Sequence, residues 1–103
     1  MATISADFDS YKYWCYSSHP YEAMVYCYRS TAYVGRIVFF NDGAALPPNA
    51  NLNGPSIHFP ISRFGDIIDT LRTEKPLYLF LNLENLVGSL GTADFEPVGE
   101  EEG

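Results

Sequence analysis

Cations are scarce in this sequence. Six lysines and arginines stand against thirteen aspartates and glutamates, a formal net charge of −7 with both histidines neutral. So few basic groups do not make the long basic groove that a nucleic-acid backbone needs. Histidine and cysteine are equally sparse, two of each, and their spacing fits no metal-ligand cluster. No serine sits in a nucleophile-elbow context. Gly88-Ser89-Leu90-Gly91 imitates a phosphate cradle, but no helix follows it to supply an N-terminal dipole. No apolar run approaches the roughly 20 residues of a membrane span. The first residues lack the basic region and apolar stretch of a secretory signal, so a cytoplasmic location and reduced cysteines are expected. These shortages argue against an enzyme, a metal site, a cofactor or a membrane partner.

Apolar and aromatic residues are abundant. Hydrophobic residues make up 47 % of the 103 and aromatics 16 %, enough for a chain of this size to bury a core unaided. Residues 1–98 read as a single domain and 99–103 as an acidic flexible tail. Five of the acids, Asp94, Glu96, Glu100, Glu101 and Glu102, lie in the last ten residues, so the preceding chain is close to neutral.

One convincing helix is expected, over Ser62–Lys75. Phe64, Ile67, Ile68 and Leu71 form a stripe at i, i+3, i+4 and i+7. Ser62 is placed to cap it and Pro76 to stop it. The remaining segments read as strands. Asp7–Ser17 is dense in aromatics, and Ala23–Arg29 follows it as a hairpin partner. A turn near Tyr21 would bring Cys15 opposite Cys27. Tyr33–Phe40 is apolar on both faces at its end and so central, with Gly35 marking a bulge or a close approach. Ser56–Ile61 alternates, with Ile57, Phe59 and Ile61 inward, and Pro60 puts it near an edge or marks the strand's end. In Leu77–Leu83 the four leucines share one face. Val87–Phe95 is a looser last strand, with Asn85 in the turn before it. Residues 41–55 form a long polar loop of the kind that is often either functional or disordered, and a functionally silent loop is the first expectation.

The expected fold is therefore α+β: a mostly antiparallel curved sheet of five or six strands, one helix packed on one face, in the order β-β-β-β-α-β-β. In element order alone, the four strands followed by a helix resemble the sheet-plus-helix unit of the PUR and Whirly single-stranded-DNA-binding proteins. No motif carries that resemblance.

One helix covers one face, which leaves aromatic and aliphatic groups on the other without a partner. Three outcomes are open: the sheet curls and fills that face with its own side chains and the long loop, two copies pack together, or the face binds a ligand. The expected reading is a non-catalytic binding or protein-interaction module, acting as a homodimer through the uncovered face. Its candidate contact residues are Tyr11, Tyr13, Trp14, Tyr26, Tyr28, Arg36 and His58. One alternative is single-stranded nucleic acid stacked on these rings, with Lys12, Arg29 and Arg36 as local cations. Another is a small molecule held under the 41–55 loop; an unidentified protein partner is also open. If there is catalysis, it would use His58, Arg36 and that loop, with Asp66 or Asp69 as the partner of His58.

Overall fold

The computed structural model describes residues 3–17, 21–43, 45–73 and 77–92. Residues 18–20 of the turn expected near Tyr21, the stop at Pro76, the end of the last strand at Phe95 and the acidic tail lie outside them. The fold is α+β, with strands β1 (Thr3–Phe8), β2 (Ser10–Cys15), β3 (Tyr21–Arg29), β4 (Ala32–Phe40), β5 (Ala50–Asn51), β6 (Pro55–Pro60), β7 (Leu77–Asn82) and β8 (Gly88–Thr92). One helix, α1 (Phe64–Thr73), follows a 3-10 turn at Ile61–Arg63. No helix among the described residues is long and apolar enough to cross a membrane.

The strands form two sheets instead of one. The large sheet has the order β2-β3-β4-β6-β5 and the small sheet β1-β7-β8. The expected first strand is divided at Asp9, which turns the chain from the small sheet into the large one. Asp9 is pinned there: its N–H donates to the Tyr28 carbonyl at 3.0 Å, and its Oδ1 accepts the Ser30 N–H at 3.0 Å. Ser30 adopts φ 58° in the tight β3–β4 turn. The same aspartate therefore fixes the corner and closes the hairpin beside it.

Pairing is antiparallel everywhere except between β4 and β6, which run parallel with Arg36 opposite Ser56 and Val38 opposite His58. A parallel neighbour needs a connection of a dozen or more residues, which accounts for the length of the 41–55 segment. β5 lies within it and pairs back onto β6 through a tight turn. Asn53 and Gly54 take positive φ there, 57° and 126°. A Cβ on Gly54 would run into the Val34 carbonyl oxygen, so glycine is required. Gly35 is a close approach of the expected kind. A Cβ there would lie 2.9 Å from both Leu79 Cδ1 and the Pro55 carbonyl.

Alternation assigns the faces. Ala23, Val25 and Cys27 of β3, Ile37 and Phe39 of β4 and Ile57 of β6 point into one core. Leu77, Leu79 and Leu81 of β7, Phe8 of β1, and Ile67, Ile68 and Leu71 of α1 meet them there. The small sheet and the helix together thus cover the inner face of the large sheet. Full burial of each valine, leucine, isoleucine or phenylalanine among them stabilises the fold by about 1.5–3 kcal/mol.

Three local expectations are corrected. Ser62 lies inside the 3-10 turn, and its own N–H is capped by Asp42 Oδ1 at 3.1 Å, from twenty residues upstream. Leu83 leaves the leucine face for the turn after β7 and is exposed. Cys15 pairs with Ala23 and Cys27 with Tyr11. The two cysteines are therefore four positions apart along the ladder, about 13 Å at the usual strand rise, too far for a disulfide. Both are free thiols.

Candidate functional site

The outer face of the large sheet is the candidate site. Alternation sends Lys12 and Trp14 of β2, Met24, Tyr26 and Tyr28 of β3, Arg36, Val38 and Phe40 of β4, and Ser56 and His58 of β6 to this side. Tyr33 joins them through the β3–β4 register shift, which sets it opposite Tyr28. The rings form a connected layer. Trp14 lies 5.5 Å from Tyr26, Tyr26 is 6.2 Å from Tyr33, and Tyr33 is 6.2 Å from Tyr28. The Lys12 ammonium sits 5.6 Å above the Tyr28 ring. Further along, Tyr16 packs on Tyr21, Tyr21 on Phe40 and Phe40 on His58. Trp14 remains 47 % exposed and Tyr33 37 %. Burial among its neighbours raises the Tyr33 phenol above its usual pKa.

At the β4–β6 seam the face is polar and internally satisfied. Arg36 Nε donates to Ser56 Oγ at 2.9 Å, and Ser56 Oγ lies 3.0 Å from His58 Nε2. His58 Nδ1 lies 3.0 Å from the Pro47 carbonyl oxygen. That oxygen can only accept, so the proton of neutral His58 sits on Nδ1. Nε2 then accepts from the Ser56 hydroxyl, which in turn accepts from Arg36. A second arginine nitrogen reaches the Met24 sulfur at 4.0 Å. Asn49 completes the latch: its Oδ1 accepts the His58 N–H at 2.6 Å, and its Nδ2 donates to the Leu86 carbonyl at 3.0 Å. Burial lowers the His58 pKa below 6.5. The nearby Arg36 charge adds to that, and the Pro47 hydrogen bond opposes it.

This cluster holds the 45–55 segment against β6. It is poorly built for catalysis. Ser56 is 0 % exposed, so its oxygen is closed to a substrate. Neither Asp66 nor Asp69 orients His58, because α1 packs on the inner face. That corrects the expected His–Asp pair, although His58, Arg36 and the loop do come together. Among the described residues no group of histidine, cysteine or acidic side chains could hold a metal.

Of the seven residues expected from sequence, Trp14, Tyr26, Tyr28, Arg36 and His58 share the outer face. Tyr11 and Tyr13 do not. They alternate to the inner side at the open edge, where Tyr13 packs edge-on against Phe64 at 6.0 Å. Arg29, expected among the local cations, is held at the end of β3 by Asp7, at 3.2 Å. Tyr33, Phe40 and Ser56 belong to the face and were missed, whereas the place of Met24 beside Tyr26 and Tyr28 was readable from the alternation of β3. The parity of Ser56 with His58 was visible in the sequence, whereas its contact with Arg36 depends on the parallel register. A hollow of about 440 Å³ lies at the β1–β2 corner, lined by Phe8, Tyr11, Leu71 and Arg72 among others, away from the 41–55 loop.

Charge is unevenly distributed over the sheet. Apart from Glu22, at the register shift between Tyr21 and Ala23, no strand position assigned to the outer face carries a carboxylate. No family model, curated protein or solved structure matches this chain.

Proposed function

We propose that this protein is a non-catalytic protein-interaction module that acts as a homodimer and uses the outer face of the large sheet as its contact surface. The observation that carries this reading is the composition of that face. Trp14, Tyr26, Tyr28, Tyr33, Phe40, Met24 and Arg36 are of the residue types enriched in the cores of protein interfaces, and the types depleted there are few. Met24 and Val38 are buried within this layer, while Trp14 and Tyr33 stand open at its β2–β4 end, and a chain with such rings open gains by covering them with a partner. A second copy is the partner that requires no further component.

Trp14 is the single tryptophan and lies on this face, so it reports directly on its cover. Its emission should move to longer wavelength as the protein is diluted from high micromolar to low nanomolar concentration, with an unchanged circular-dichroism spectrum. Emission independent of concentration, in a protein that sediments as a monomer, refutes the reading.

A second reading has one observation in its favour. Lys12 and Arg36 make the ring-bearing face locally cationic in a chain of net charge −7. That pattern suits single-stranded nucleic acid, whose bases stack on aromatic side chains for about 1–3 kcal/mol each. Salt-sensitive gel shifts with oligo-dT would support it, and no shift at low salt removes it.

A further inference from the structure

β2 is an edge strand with an unusual exposure pattern. Among the described residues it pairs with β3 alone. Tyr13 is 52 % exposed and Trp14 47 %. These residues are consecutive and so lie on opposite faces of the sheet. A partner lying on either face covers one of them, whereas a strand added along the edge reaches both.

The backbone of the edge is ready for such a strand. The Tyr16 N–H donates to the Glu22 carbonyl at 2.8 Å, and the β2–β3 ladder continues in the same register to Ser10 opposite Tyr28. By antiparallel alternation, the N–H and C=O groups of Ser10, Lys12 and Trp14 point into the ladder. Those of Tyr11, Tyr13 and Cys15 point out of the open edge. An unpaired edge of this kind is a template for another strand.

We infer that two copies of the chain join antiparallel along β2, about a two-fold axis at Tyr13, so that their outer faces run on into one surface. The inference rests on the homodimer proposed above and narrows its contact to the β2 edge of the outer face, at Lys12 and Trp14, in place of the face as a whole. Three considerations favour this register. Opposed residues must share a face, which admits only registers pairing like with like in alternation. The outward-pointing backbone groups must bond to one another, which holds when Tyr13 faces the partner's Tyr13 and Tyr11 faces the partner's Cys15. Lysine, the one charged residue of β2, must not face itself. In the register centred on Tyr13 it faces the partner's Trp14, where an ammonium over an indole is favourable. Centring on Lys12 instead would oppose two lysines. Lys12 thus disfavours the register centred on itself and favours the one centred on Tyr13.

The test is disulfide mapping on the full chain in a Cys15→Ser background, with Cys27 buried and left in place. Tyr13→Cys, Trp14→Cys and Tyr33→Cys variants are oxidised mildly and the covalent dimer is followed over time. The edge arrangement predicts that Tyr13→Cys links at least tenfold faster than either of the others, and that Tyr13→Pro, which removes an edge N–H, sediments as a monomer. Fastest linking at Tyr33→Cys means that the copies stack face to face, which overturns the edge and keeps the homodimer. Equal slow linking in a protein that sediments as a dimer also overturns the edge. A wild-type monomer overturns both the edge and the homodimer.

Discussion

Protonating His58 disturbs its neighbours in a defined way. Neutral His58 donates from Nδ1 to Pro47 and accepts from Ser56 at Nε2. A second proton removes that acceptor and adds a positive charge beside Arg36. Burial, with the Arg36 charge adding to it, holds the folded-state pKa below the unfolded value of 6.5. Because the unfolded chain binds the proton more readily, the contribution to stability is complete above 6.5 and is lost as pH falls through the folded pKa. Urea midpoints measured well above and well below 6.5 should fall toward acid, and His58→Gln should flatten the difference attributable to this residue. An unchanged slope in the variant contradicts the arrangement. The thiols make a second contrast. Burial pushes the Cys27 pKa up to about 12, whereas Cys15 is exposed. One thiol equivalent should react rapidly with a disulfide reagent in the native protein and the second only after unfolding. The parity that buries Cys27 among apolar neighbours was readable from the alternation of β3. The His58–Ser56–Arg36 chain was not, since it joins strands brought together by a parallel pairing.

At the scale of elements, α1 depends on a residue outside it. The stripe of Phe64, Ile67, Ile68 and Leu71 was legible because its 3.6-residue period belongs to the helix itself, and Ile67, Ile68 and Leu71 are buried as it requires. The cap was not legible, because Asp42 reaches the Ser62 N–H from the far end of the crossover. Asp42→Ala should cost about 1 kcal/mol, the usual worth of such a cap, while Ser62→Ala should stay within about 0.5 kcal/mol. Chemical denaturation of the two variants checks the order, and a larger effect from Ser62→Ala contradicts it. The β5–β6 turn makes an independent demand. With φ at 126° and the Val34 carbonyl in the way, Gly54→Ala should lower stability by about 2 kcal/mol or more. The length of the 41–55 segment was the one sequence signal of the parallel β4–β6 pair. Its polar composition suggested only a loop, because β5 has two residues and leaves almost no periodic trace.

At the scale of the whole molecule, the division of the strands between two sheets decides what is left uncovered. One sheet and one helix would have left a large face bare by simple counting. The small sheet adds a second cover, but on the inner side, where Phe8, Leu77, Leu79 and Leu81 join the core. Asp9 makes the division possible, and a single exposed aspartate between two aromatic segments announces no corner. The outer face therefore keeps its rings, as expected from one helix per sheet, although Tyr11 and Tyr13 belong to the other side. Sedimentation velocity of the wild-type chain and of Trp14→Glu, each at two concentrations and two salt levels, tests this account most directly. A dimer for the wild type and a monomer for the variant are predicted, with matching circular dichroism for the two. A wild-type monomer at micromolar concentration, or a Trp14→Glu chain that remains a dimer, contradicts the account.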